Sequence, residues 1–130
     1  MSADEKKEKG LSYFLSEKPP FTVVIFIGKM TKETLEVLED CQKDLSERAN
    51  KLYVIAFRDV LTVDLSALGP LTRIQKLLRD KGALRVCSLR PDLKKFLVEK
   101  AAIRASEYAD NLPEALESLK FEQASKAGKE

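Results

Sequence analysis

From Leu52 to Phe57 the chain reads Leu-Tyr-Val-Ile-Ala-Phe, six apolar residues with no polar interruption. A strand that is apolar on both faces needs cover on both sides, as the central strand of a parallel sheet does. The flanking residues offer that cover. Before the run, Leu35, Leu38, Cys41 and Leu45 recur at helical spacing with Glu36, Glu39, Asp40 and Lys43 between them, so a helix capped by Thr31 is expected to reach about Glu47. After it, Leu71, Ile74, Leu77 and Leu78 stripe a second helix that Gly82 ends.

The remaining segments extend the same alternation. Leu11–Leu15 and Phe21–Ile27 are β-rich runs separated by Glu17-Lys18-Pro19-Pro20, a hairpin pattern. The Val60-Leu61-Thr62-Val63 segment leads to the second helix, and Leu84–Leu89 reads as a further strand. Pro91 then starts a third helix through Leu93, Phe96 and Leu97. A short strand is expected near Ile103–Ser106, and Asn111-Leu112-Pro113 opens a last helix striped by Leu112, Leu116 and Leu119. The expected fold is α/β, a mixed sheet of four or five strands covered by four helices.

Composition narrows the function. With 130 residues, 44% hydrophobic and 34% charged, the chain is expected to form one domain over residues 11–119, with flexible ends at 1–10 and 120–130. Its long apolar stretches, Val23–Ile27 and Leu52–Phe57, are too short to cross a bilayer, and residues 1–9 lack the apolar core of a secretory signal. A cytoplasmic location without membrane insertion is expected. There is no histidine, which removes histidine-dependent nucleophilic catalysis and imidazole metal ligation, and the five glycines stand singly rather than in a phosphate-binding loop. No metal and no cofactor is expected, and no enzymatic activity. Cys41 and Cys87 read as small buried apolar side chains. The segment Leu71–Arg104 carries ten basic and three acidic residues, but these are spread over two helices and a strand with one aromatic, Phe96. It reads as a solvated basic face, with no nucleic acid as partner.

Taken together, the strand ending at Phe57, the segment Val63-Asp64-Leu65-Ser66-Ala67-Leu68-Gly69 entering a helix with Arg73, Lys76, Leu77 and Arg79, then Gly82 and Leu84–Leu89, resemble the STAS domain family. Gly28 matches the glycine after that family's first long strand, and the likeness runs from about Leu11 to Leu119. The family includes the bacterial anti-sigma factor antagonists and the cytosolic domains of sulfate transporters. The resemblance implies a partner-switching regulator of transcription, with an anti-sigma factor or serine kinase as partner and Ser66 as phosphoacceptor. It places the docking surface at Thr31, Asp64, Leu65, Ser66, Ala67 and Leu68, and weak self-association is a further expectation. In this chain Leu65 and Ala67 stand where the family's Asp-Ser-Ser-Gly motif has serine and glycine, and Thr31 stands where an aspartate is frequent. Three roles remain open for Ser66: a phosphoacceptor, an ordinary N-cap hydroxyl, or a loop residue if Pro70 shifts the cap to Gly69, and Asp64 reads either as a capping or turn carboxylate or as part of the docking surface. An alternative implied role is a STAS scaffold or transporter-accessory subunit in which the serine is silent.

Overall fold

The computed structural model describes the backbone of residues 10–128 and the side chains of residues 10–123. The expected segment 1–10 therefore lies almost wholly outside the described residues. Among the described residues five strands form one sheet in sequence order: β1 (Leu11–Lys18), β2 (Phe21–Met30), β3 (Leu52–Val63), β4 (Ala83–Cys87) and β5 (Tyr108–Ala109). β1 and β2 are the expected hairpin, with Lys18 opposite Phe21 and only Pro19-Pro20 between them. All later pairings are parallel. The helices are α1 (Leu35–Ser46), α2 (Leu68–Lys81), α3 (Pro91–Glu99) and α4 (Leu112–Gly128).

The doubly apolar run behaves as its composition requires. Tyr53, Ile55 and Phe57 join a large core with Val37, Leu38, Cys41 and Leu45 of α1, Leu71, Ile74 and Leu78 of α2, and Leu93 and Leu97 of α3. The alternate residues Leu52, Val54 and Ala56 join a smaller core with Ala115 and Leu119 of α4. One helix therefore covers the back of the sheet and three cover the front. On the back of the β1–β2 hairpin this cover is incomplete, and Phe14 and Ile27 remain exposed.

Several boundaries differ from the sequence reading. β3 does not stop at Phe57 but continues through Val63, with register shifts against β2 between Ile25 and Ile27 and between Gly28 and Lys29. Such bulges break the period-two pattern, which is why Arg58 and Asp59 looked like the end of a strand. β4 ends at Cys87 rather than Leu89. The strand expected near Ile103–Ser106 is absent: Ile103 is buried without pairing, residues 105–107 form a 3-10 turn, and the two-residue β5 follows. The last helix continues beyond Leu119 to Gly128, so residues 120–128 are helical.

Two of the basic residues read as solvated are instead structural ties. Arg79 donates to both carboxylate oxygens of Glu107 at 2.8 Å, and Arg85 reaches Glu122 at 2.5 Å and Ser118 Oγ at 2.8 Å. Fork-shaped pairing of this kind fixes orientation as well as charge. Gln75, 1% exposed, donates to the carbonyls of Leu71 at 3.2 Å and Ala102 at 2.6 Å, which ties α2 to the segment after α3.

Both cysteines are free and buried, Cys41 in the front core and Cys87 in the back one, on the opposite strand face from Leu84 and Val86. Burial raises both thiol pKa values, for Cys41 with added repulsion from Asp44 and Asp40, while Ser88 partly offsets the rise at Cys87. The thiolate is the reactive form, so a polar alkylating reagent at pH 8 should modify native protein far more slowly than unfolded protein. Rapid modification of both cysteines under native conditions would contradict this packing. A gain is expected at the end of α3, where Ala101 adopts φ 56°. A non-glycine residue there costs about 1 kcal/mol, so Ala101→Gly should raise the melting temperature by a few degrees.

Candidate functional site

Because β2 and β3 are parallel and Met30 lies opposite Val63, the chain leaves both strands at the same edge of the sheet. The Asp64 N–H donates to the Met30 carbonyl at 2.9 Å and locks the two exits together. Thr31 and the Asp64–Leu68 segment thus lie beside one another, which brings the expected surface residues to one end of the fold.

The first exit turns through a 3-10 turn, Lys32–Thr34, before α1 begins. Thr31 takes the cap position of that turn, and Thr34 rather than the expected Thr31 takes the cap position of α1. The hydroxyl that organises the turn is that of buried Thr34, which accepts from the Thr31 N–H at 2.8 Å and lies 3.0 Å from the Lys29 and Thr31 carbonyls.

The second exit settles the cap question. Leu65–Ala67 forms a 3-10 turn that runs into α2 at Leu68, and Asp64 is its cap. The Asp64 carboxylate accepts from the Ser66 N–H at 3.0 Å, and the Ser66 hydroxyl donates to the same oxygen, Asp64 Oδ1. Neither Ser66 nor Gly69 is the cap: Ser66 is one residue inside the turn, and Pro70 fits in the first turn of α2, where a missing N–H leaves no hydrogen bond unmade. Ser66 is exposed, as is Leu65 at 65%, whereas Ala67 is buried and Leu68 is half-buried. Of the expected surface, Leu65 and Ser66 face solvent most fully and Ala67 serves the core.

Leu61, 51% exposed on the far part of β3, is an apolar surface residue that sequence reading missed. It sits in a bulged stretch where alternation no longer tells inside from outside. Among the described residues, no three histidine, cysteine, aspartate or glutamate side chains cluster as metal ligands, and no helix is long and apolar enough to cross a membrane.

This architecture, a sheet in sequence order with three helices in front, one behind and a capped turn entering the second helix, is the fold of the STAS domains. It matches the crystal structure of an anti-sigma factor antagonist from Mycobacterium paratuberculosis with a TM-score of 0.76 at 15% identity, over 86% of this chain and 96% of that one. It also matches a serine-to-glutamate variant of RsbS from Moorella thermoacetica, with a TM-score of 0.73 at 18% identity over 86% and 97% of the two chains. A third match is the mouse anion transporter Solute Carrier 26 family member A9, with a TM-score of 0.67 at 11% identity over 88% of this chain and 22% of the transporter. No family model matches the sequence, and no curated protein matches it by sequence.

Proposed function

We propose that this chain is a non-enzymatic, cytoplasmic regulator of the anti-sigma factor antagonist type, which docks a protein partner at the Thr31 and Asp64–Leu68 end of the sheet and is released by phosphorylation of Ser66. The observation that carries the reading is the pairing of an exposed hydroxyl with an exposed leucine, Ser66 and Leu65, on a turn fixed by the Asp64 cap. An apolar anchor on a rigid element suits a protein contact, and an accessible serine beside it suits control of that contact by charge. The partner is an anti-sigma factor or serine kinase, and the output is transcriptional. The fold likeness to part of an anion transporter favours a second reading, a scaffold or transporter-accessory module in which Ser66 is not modified.

Two substitutions separate cap from switch. Asp64→Ala removes the cap and should cost about 1 kcal/mol, whereas Ser66→Ala keeps the cap and should leave the melting temperature nearly unchanged. In calorimetric titration against the cognate partner, Ser66→Asp should weaken binding at least tenfold and Ser66→Ala should bind as wild type does. Equal affinity for Ser66→Asp and wild type would replace the switch with the scaffold reading.

A further inference from the structure

The hydroxyl that Ser66 donates to Asp64 Oδ1 exists only while Oγ carries its proton. When a kinase transfers the terminal phosphoryl group of a nucleoside triphosphate to Oγ, the bond from that phosphorus to its bridging oxygen breaks, the nucleoside diphosphate leaves, the hydroxyl proton passes to a base of the kinase, and Oγ joins phosphorus. The donated bond to Asp64 is then gone. In its place a group carrying a charge of about −1.5 to −2 stands beside a carboxylate. A nearby cation would offset the repulsion between the two.

The start of α2 supplies one. Ala67 and Leu68 both have right-handed helical backbone, so the chain turns helically without interruption from the 3-10 turn into α2. Ser66, Gly69 and Arg73 therefore follow one another at spacings of three and four along one face, with about 5–6 Å between successive Cβ positions. Gly69 has no side chain, and a Cβ built there would lie 3.5 Å from Arg73 Nη1. The guanidinium thus folds back over the first turn of α2, across the bare position that separates it from Ser66. Neighbouring cations are already engaged: Arg58 lies 3.7 Å from Asp59, and Lys76 lies 3.0 Å from Asp80. Arg73 makes no hydrogen bond or ion pair among the described residues. Lys32 and Glu33, in the turn after β2, are the other exposed charges of the adjoining loop.

We propose that Arg73 is the intramolecular receptor for a phosphoryl group on Ser66, so that phosphorylation exchanges the Ser66–Asp64 bond for a Ser66–Arg73 clamp. A planar guanidinium meets two phosphoryl oxygens at once, which an ammonium cannot do. Asp64, no longer bonded to the side chain it held, keeps only the Ser66 N–H. The modification therefore redraws the docking turn itself as well as adding charge to it. This inference rests on the Ser66 reading above, and its test keeps the two apart.

Phosphoserine is placed at position 66 of the full chain during translation, so that no kinase is needed, and its 31P resonance is followed against pH. The second ionisation of the phosphate should move upward by about half a pH unit in Arg73→Gln, with Arg73→Lys between that variant and the parent. Lys32→Gln should leave the midpoint unchanged. Equal midpoints in the parent and Arg73→Gln would overturn the clamp, and so would a shift confined to Lys32→Gln. If Arg73→Gln shifts the midpoint while the phosphorylated and unphosphorylated chains bind the partner equally, the clamp stands and the switch reading falls.

Discussion

Ile55→Asp is expected to abolish the native state at 25 °C. Ile55 is fully buried at the middle of β3, in register with Val24 on one side and Val86 on the other, and its side chain enters the front core. A carboxylate there finds no partner, and among the described residues no buried side-chain nitrogen or oxygen lacks one at present. The substitution combines lost apolar burial with an unpaired polar group, each worth a few kcal/mol, against a total stability of about 5–15 kcal/mol. Leu61→Asp supplies the control, since it lies on the same strand half exposed and should cost no more than about 0.5 kcal/mol. Urea unfolding followed by circular dichroism distinguishes them. A wild-type midpoint for Ile55→Asp would mean that the front layer does not pack on β3.

Gly28→Ala is expected to cost several kcal/mol, the second largest loss, for a different reason. Gly28 adopts φ 119°, a conformation that side chains rarely tolerate, and a Cβ there would stand 2.0 Å from the Gly10 carbonyl oxygen. That carbonyl is held in place, because it accepts the Lys29 N–H at 2.6 Å. Relief would require β1 and β2 to separate at the end that feeds Thr31. Backbone strain and a main-chain clash therefore add, and neither can be relieved by rotating a side chain. The variant should unfold at markedly lower urea, and where it remains folded its partner affinity should also fall, because the Thr31 exit moves. A melt within one degree of wild type would be incompatible with this register.

What was legible in the sequence and what was not follow from how many residues carry each signal. The hairpin, the core strand and the helical stripes are written over five or more residues each, and periodicity finds them. β5 has two residues, too few for any period, and Ile103 mimicked it by being apolar and β-branched. The far half of β3 was hidden by bulges, and with it the exposure of Leu61. At the site, the grouping of Thr31 with Asp64–Leu68 was legible through family likeness, and Asp64 was legible as a capping or turn carboxylate, but which of Asp64, Ser66 and Gly69 holds the cap was not. Asp64 and Ser66 are both good capping residues two positions apart, and only the backbone decides between them. Arg79 and Arg85 were misread because their acidic partners lie 28 and 37 positions away, beyond any local charge pattern.

The order of strands across the sheet equals their order along the chain, and this bears on how the protein is made. Each strand that leaves the ribosome finds its neighbour already present, so the sheet grows from β1 towards β5 without waiting for a distant partner. Pairing each strand with its predecessor, rather than with a strand further along the chain, keeps the sequence separation of the sheet contacts low, which favours rapid assembly. The back of the sheet is different, because among the described residues its helical cover is α4, which follows all five strands in the chain. Until Ala115 and Leu119 arrive, Val23, Val54, Ala56 and Cys87 form an open apolar surface on an otherwise assembled sheet. A nascent chain paused before Leu112 is therefore the species most exposed to aggregation and to chaperone capture, and release of the final turns of α4 is the step that ends its vulnerability.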